Sequence, residues 1–304
     1  MGPTETVAVL GLGGMGAAMA SRLLRAGYHV SVYNRTAAKA EPLVVAGARG
    51  AVSPTDAATG ARTLLLSLSD EPAVRQVLFE QLGGWLGDGV IVVDTSTVSP
   101  AFARECAERV AATGARRVEA CVLGNAALAR AGNLRVLAAG DANDVDAVRP
   151  LLDVLGQQVL HVGPAGMAAT MKLAFNLLLG AQVATLAEAV RYGVAAGLDR
   201  DQLLEAIAES GFSSLPMAFR ADLMRRRAYD PPAFRTRLMH KDLRFAVDDA
   251  ARLGVGLPVT ATAAESFAAT MRAGAADLDA ASVLDHPGCA DRSSLEEDRI
   301  YEPG

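Results

Sequence analysis

The chain has 304 residues, of which 51% are hydrophobic, enough for one or two domains with large cores. Its formal net charge of −5 disfavours nucleic acid or an anionic membrane surface as the main partner. The three cysteines, Cys106, Cys121 and Cys289, are too few and too scattered for a disulfide framework or a zinc site. They favour a reducing, cytoplasmic location, and we expect no metal.

The first half of the chain alternates short β-rich runs with helical segments. Such alternation predicts βαβ units and a mostly parallel sheet that helices cover on both faces. The predicted strands are residues 6–10, 29–33, 63–68, 90–94, 117–122, 134–138 and 159–162.

After Gly163 the strand pattern ends and helical patterns follow. Residues 165–196 form one long, Ala-rich segment. Because polar side chains such as Asn176 and Glu188 interrupt it, we predict a buried helix rather than a membrane span. The polar residues 291–304 predict a flexible tail. Further helices are predicted at residues 200–210, 215–227, 236–253 and 259–273.

The first predicted strand leads directly into a glycine-rich turn, Gly11-Leu12-Gly13-Gly14-Met15-Gly16, and then a helix. This G-x-G-x-x-G pattern has the strand–turn–helix context that dinucleotide binding requires. Gly11 permits the tight turn, Gly13 lets the backbone approach a pyrophosphate, and Gly16 lets helix and strand pack closely. Free amides at the helix start would hold the phosphates, so we assign all six residues to a dinucleotide site.

The end of the second predicted strand indicates which nucleotide binds. It reads Asn34-Arg35-Thr36, where NAD-preferring proteins usually carry an acid that holds the ribose hydroxyls. Arg35 can clamp a 2′-phosphate with several donors, and no carboxylate at this position repels that phosphate. The sequence therefore predicts NADP(H) as the cofactor.

Lysine is rare in this chain, with Lys39, Lys172 and Lys241 as the three lysines among 29 Lys and Arg residues. Arginine stays charged under ordinary conditions, whereas a desolvated lysine can lose and regain a proton near neutral pH. Lys172 is the strongest candidate for proton transfer, because it lies four residues before Asn176 on one face of the predicted helix. The alternative is a lysine that snorkels from a packed helix.

These motifs, in this order over residues 6–285, make the chain similar to the β-hydroxyacid dehydrogenase family. That family includes 3-hydroxyisobutyrate dehydrogenases and glyoxylate/succinic semialdehyde reductases. Residues 94–100 (Asp-Thr-Ser-Thr-Val-Ser-Pro) resemble the family segment whose hydroxyls lie beside the nicotinamide ribose and the substrate. The stretch from Gly163 to Asn176 resembles its catalytic helix. Lys241-Asp242-Leu243 resembles its C-terminal motif, in which the lysine reaches the cofactor.

The resemblance and the element pattern together predict an α/β fold. It has an N-terminal Rossmann domain with a doubly wound sheet (1–163), a long interdomain helix (164–196) and an all-α C-terminal domain (197–290). Catalysis is assigned to Lys172 and Asn176, and substrate binding to Ser96, Leu123, Gly124 and Asn125. Besides the glycine-rich turn, the predicted cofactor contacts are Asn34, Arg35, Thr36, Leu68, Ser69, Thr97 and Lys241. The resemblance, and a helix that is apolar around much of its circumference, predict a homodimer or homotetramer.

In two places the chain departs from the family pattern. The family's substrate loop commonly reads Asp-Ala-Pro-Val-Ser-Gly-Gly and cradles the substrate carboxylate, whereas residues 119–125 here read Glu-Ala-Cys-Val-Leu-Gly-Asn. Leu123 removes a hydroxyl donor, and Asn125 adds bulk and an amide, which favours a bulkier or less polar substrate. Phe175 replaces the first of two adjacent asparagines that the family often has, while Asn176 is retained.

Three functions are left open at this point. The leading one is an NADP(H)-dependent dehydrogenase or reductase acting on a small β-hydroxyacid, semialdehyde or ketone. In it Lys172 is the general acid or base, and Asn176 holds Lys172 and the substrate oxygen in register. An imine reductase is the second, since Leu123 fits the apolar substrate loop of those relatives, although they usually replace the lysine. A catalytically silent NADP-binding protein is the third, and the retention of Lys172, Asn176 and Lys241 disfavours it.

Overall fold

The computed structural model describes residues 5–211 and 213–287. The chain divides into two compact units between Ala174 and Phe175, within the long helix Met167–Ala195. The predicted tail at residues 291–304 and Cys289 lie outside the described residues.

The first unit is built on one sheet in the order β3-β2-β1-β4-β5-β6-β7-β8. Strand order reverses at β1, which pairs with β2 on one side and β4 on the other. In open α/β sheets, ligands bind at such a switch point, outside the carboxyl ends of the strands. The strands are β1 (Thr6–Leu10), β2 (His29–Tyr33), β3 (Arg49–Gly50), β4 (Thr63–Leu66), β5 (Ile91–Asp94), β6 (Arg116–Leu123), β7 (Leu134–Ala139) and β8 (Gly156–His161).

Helices cover both faces of this sheet. Alternate strand residues supply two cores: Val7 and Val9 pack on one face, while Ala8 and Leu10 pack on the other. Burial on both faces explains the nearly continuous apolar runs of the strands. The helices of the first unit are α1 (Gly14–Arg25), α2 (Glu41–Val45), α3 (Pro54–Ala58), α4 (Glu71–Arg75), α5 (Pro100–Ala111), α6 (Ala126–Ala131) and α7 (Ala142–Leu155).

The mostly parallel sheet confirms the prediction, with one antiparallel pair, β6 and β7. The connection between these strands is residues 124–133, shorter than the dozen or more residues that a parallel crossover needs. The β-rich patterns do not predict β3, because a two-residue strand carries no periodicity. Strand β4 ends at Leu66, two residues before its predicted end, since the Leu68 N–H bonds to a side chain instead of a neighbouring strand.

The second unit begins within α8 (Met167–Ala195) and is helical, as predicted. Its core includes Val183, Leu186 and Val190 of α8, together with Leu243 and Phe267. By length and composition α8 could cross a membrane, but these contacts are those of a packed core helix. The other helices are α9 (Arg200–Glu209), α10 (Leu215–Arg226), α11 (Thr236–Arg252) and α12 (Pro258–Thr270).

Candidate active site

The glycine-rich turn joins β1 to α1 at the switch point of the sheet. Gly13 is the N-cap of α1, and this helix start has no side-chain cap and no acidic residue in its first turn. Gly13 and Gly14 are exposed, and a Cβ added at either would meet nothing within 4 Å. The first N–H groups of α1 are therefore open to an anion, as a bound pyrophosphate requires.

Two other glycines of the turn are required by packing. Gly11 has a φ of +98°, and an added Cβ would lie 2.8 Å from the Leu68 side chain and closer still to the Ser67 carbonyl. A Cβ at Gly16 would overlap the Gly11 carbonyl oxygen. Only glycine fits these positions without displacing the backbone. The residues of the turn thus fit the dinucleotide that the motif predicts.

The Asn34 side chain connects the second strand to this turn. Its Oδ1 accepts the Leu12 N–H at 2.9 Å, and its Nδ2 donates to the Thr36 carbonyl at 3.0 Å. Asn34 therefore stabilises the loops where an NAD-type protein would present an acid. Arg35 and Thr36, directly after it, are exposed.

The loops after β4 and β5 meet at the same edge of the sheet. The Leu68 N–H donates to Ser96 Oγ at 3.0 Å, and the Ser96 N–H donates to Asp94 Oδ1 at 2.9 Å. Ser96 is buried, Thr97 is half-buried and Ser69 is exposed. The structure thus brings Ser96, assigned to the substrate, against Leu68, assigned to the cofactor.

The predicted substrate loop follows β6. Leu123 is half-buried and packs against the small core cluster formed by Cys121, Leu137, Ala139 and Ala168. Gly124 has a φ of +140°, where an added Cβ would lie 2.8 Å from the Leu134 side chain. Asn125 is the N-cap of α6, since its Oδ1 accepts the Leu128 N–H at 3.1 Å. The Asn125 side chain therefore shapes this loop through its amide oxygen.

Lys172 lies beside this loop. It is half-buried on α8, and its Nζ donates to the Val122 carbonyl at 2.9 Å. Burial raises the pKa of the neighbouring Cys121 thiol to about 12, so this thiol stays neutral at ordinary pH. The carbonyl of Val122, the residue before Leu123 on β6, thus holds the Lys172 side chain.

In the second unit, Asp242 joins two of the predicted site residues. Asn176 is buried and donates from Nδ2 to Asp242 Oδ2 at 2.6 Å, while Lys241 Nζ lies 3.1 Å from Asp242 Oδ1. The sequence patterns alone gave Asp242 no role. The sequence feature that could have indicated Asp242 is a carboxylate on the otherwise apolar face of α11, between Met239 and Leu243.

The first unit also contains buried charged residues for which the sequence predicted no role. Arg117 and Glu119 lie on β6 and are buried together with Asp94 at the end of β5. Charged residues inside an otherwise apolar strand are the sequence signal that could have found them. Among the residues that the structure describes, no group of three or more His, Cys, Asp or Glu side chains could hold a metal.

Comparison with known proteins decides the family. Residues 6–163 match the NAD-binding domain of 6-phosphogluconate dehydrogenase, and residues 166–286 match the NAD-binding domain of NADP-dependent 3-hydroxyisobutyrate dehydrogenase. The chain belongs to the β-hydroxyacid dehydrogenase family. This confirms the resemblance and the predicted order of a Rossmann domain followed by a helical domain.

Several proteins are similar to this chain over nearly their whole length. Glyoxylate/succinic semialdehyde reductase 1 of Arabidopsis thaliana is 35% identical over 283 residues, covering 92% of this chain and 97% of that protein. The crystal structure of a 3-hydroxyisobutyrate dehydrogenase from Salmonella typhimurium matches with a TM-score of 0.86 and 28% identity, covering 92% of this chain and 99% of that one. A reductive aminase from Aspergillus terreus, in complex with NADPH and ethyl levulinate, matches with a TM-score of 0.63 and 25% identity. The match covers 93% of this chain and 99% of that one. The chain is an NAD(P)-binding oxidoreductase.

Proposed function

We propose that this protein uses NADP(H) and interconverts a small β-hydroxyacid and its semialdehyde, or a related alcohol and carbonyl, with Lys172 as general acid or base. The hydrogen bond from Lys172 Nζ to the Val122 carbonyl carries this proposal. It holds the Lys172 amino group beside the loop that the family uses for its substrate.

The cofactor preference rests on the end of β2. This strand end carries Asn34 in place of the acid that binds the ribose hydroxyls in NAD-preferring proteins. The Asn34 side chain is hydrogen-bonded to the Leu12 N–H and the Thr36 carbonyl. Arg35 is exposed directly after it and offers a guanidinium to a 2′-phosphate. The NADPH in the similar reductive aminase is consistent with this preference.

The chemistry divides between the cofactor and the chain. The nicotinamide supplies or accepts the hydride when it is bound. Lys172 gives a proton to the developing alkoxide during reduction and takes that proton back during oxidation. Asn176, whose Nδ2 is fixed by Asp242, orients the substrate oxygen and keeps it in register with Lys172. Ser96, Gly124 and Asn125 position the rest of the substrate.

Leu123 and Asn125 set the choice of substrate in this proposal. Leu123 presents a partly buried apolar side chain, and the Asn125 oxygen caps α6. These residues replace the serine and the second glycine of the family loop. We therefore expect a bulkier or less polar substrate than a standard small β-hydroxyacid.

One alternative function has a specific observation in its favour. The apolar Leu123 and the similarity to a reductive aminase are consistent with reduction of C=N substrates. Lys172 opposes this alternative, because imine reductases usually replace the lysine. A catalytically silent NADP-binding protein would not need a half-buried lysine at this position, because binding alone requires no proton donor.

We further propose a cytoplasmic homodimer or homotetramer that acts on a small molecule rather than on nucleic acid or a membrane. The exposed apolar side chains of α8 support the assembly: Phe175 is 47% exposed and Leu178 is 58% exposed. Contiguous exposed apolar surface commonly marks a protein–protein contact.

A screen of NADPH oxidation against semialdehydes, ketones and cyclic imines tests the function. We expect turnover of a carbonyl substrate, with NADH clearly poorer than NADPH. Lys172→Ala serves as the matched control for background oxidation. Turnover confined to cyclic imines would favour the alternative, and no turnover with any class would favour the silent protein.

A further inference from the structure

Three buried charged side chains of the first unit form one cluster. Asp94, Arg117 and Glu119 have side chains that are at most 2% exposed. Arg117 Nη2 donates to Asp94 Oδ2 at 2.8 Å, and its Nη1 lies 3.6 Å from Glu119 Oε1. Burying charges is costly, and well-packed apolar residues are often equally stable in their place. Stability alone therefore does not explain this cluster.

One carboxylate of the cluster holds the segment assigned to the substrate and the cofactor. Asp94 Oδ1 accepts the Ser96 N–H at 2.9 Å, and Ser96 Oγ in turn accepts the Leu68 N–H at 3.0 Å. The loops after β4 and β5 are thereby joined to Asp94. Arg117 connects this pair of loops to Glu119.

The other carboxylate holds the start of the helix that carries Lys172. Glu119 accepts the backbone N–H of Gly166 and, at 3.1 Å from Oε2, the N–H of Ala169. These are N–H groups that a helix start cannot satisfy internally, and a negative charge there also interacts favourably with the helix dipole. Ala169 precedes Lys172 by three residues, about one helical turn.

Strand β6 therefore holds α8 at two points. Glu119 binds the first turn of the helix, and the carbonyl of Val122 accepts the Lys172 ammonium. Burial raises the pKa of the Glu119 carboxyl, although Arg117 and the two N–H groups favour its charged form. The Glu119 carboxylate, whose burial costs free energy, thus lies against the helix that carries the proposed catalytic lysine.

We propose that Glu119, linked through Arg117 to Asp94, is a positioning residue that sets the placement of Lys172 relative to Ser96. The inference rests on the proposed role of Lys172 in proton transfer. A misplacement of about 1 Å can cost on the order of 10²-fold in rate, so a small shift of the first turn of α8 would reduce turnover.

The test compares Glu119→Gln, Glu119→Asp and a matched control, Glu105→Gln. The glutamine keeps the size, but its amide NH₂ would oppose a backbone N–H donor. We expect kcat to fall about 10-fold or more, with the KM for NADPH nearly unchanged. Aspartate keeps the charge but is one methylene shorter, so Glu119→Asp should give a kcat between those of the wild type and Glu119→Gln. Glu105→Gln removes two half-exposed ion pairs, with Arg75 and Arg109, and should leave kcat unaltered.

The outcomes separate this inference from the proposed function. Wild-type kcat in Glu119→Gln, while Lys172→Arg is inactive, would overturn the positioning role alone. Full activity in Lys172→Arg would overturn the proposed function itself. A lowered Tm with unchanged kcat would assign Glu119 to stability only. If Glu119→Gln does not fold, Arg117→Lys carries the test: it keeps one charge but cannot bridge two carboxylates, and kcat should again fall with KM preserved.

Discussion

Replacing Lys172 by arginine tests the proposed chemistry most directly. The guanidinium keeps the positive charge and can still donate to the Val122 carbonyl, which Lys172 Nζ contacts at 2.9 Å. It cannot give up a proton at ordinary pH. The variant should therefore fold and bind NADPH almost normally while it loses most of its turnover.

The expected magnitudes distinguish catalysis from stability. Loss of general acid–base catalysis costs about 10²–10⁴-fold in rate, which corresponds to about 3–5 kcal/mol of transition-state stabilisation. A companion variant, Lys172→Met, keeps an unbranched stem but removes the donor to Val122. The loss of that hydrogen bond should lower the free energy of unfolding by about 1–3 kcal/mol. The loss of transition-state stabilisation should therefore exceed the loss of folding stability.

The assay combines three measurements on both variants. Steady-state NADPH oxidation reports kcat and KM, quenching or enhancement of NADPH fluorescence reports cofactor binding, and thermal unfolding reports Tm. We expect kcat to fall by at least 10²-fold in each variant, with a Tm shift of a few degrees at most. Near-full turnover in Lys172→Arg would refute the reasoning, reduce Lys172 to an electrostatic anchor and favour the imine reductase alternative.

Three further predictions concern cofactor, substrate and assembly. Arg35→Ala should raise the KM for NADPH sharply and leave that for NADH little changed; equal catalytic efficiency of the unmodified enzyme with both would contradict NADP(H) preference. Leu123→Ser combined with Asn125→Gly should improve turnover of 3-hydroxyisobutyrate or succinic semialdehyde, at a cost of only a few tenths of a kcal/mol for the lost α6 cap. Efficient use of those acids by the unmodified enzyme would show that the altered loop has no effect on specificity. Sedimentation should detect a dimer or larger species at micromolar concentration, and Leu178→Glu should weaken it; a monomer alone would exclude the assembly.

The sequence by itself predicted those strands, turns and candidate residues that depend on local residue patterns. Apolar runs of the right length predicted β1, β2 and β4 to β8, because strands that are buried on both faces are rich in apolar residues. The glycine-rich turn was recognisable because Gly11 and Gly16 must lack a Cβ at defined offsets. Lys172 stood out because the chain otherwise prefers arginine.

Tertiary structure decided what those residues contact, because each contact joins positions far apart in the chain. Asn34 binds the Leu12 N–H across 22 residues, which no local periodicity encodes. Glu119 reaches the start of α8 across 47 residues, and Asp242 reaches Asn176 across 66. A buried carboxylate is stable only where the fold supplies its donors. The sequence could therefore show that these acids were unusual, but the fold alone determined which helix or amide each one holds.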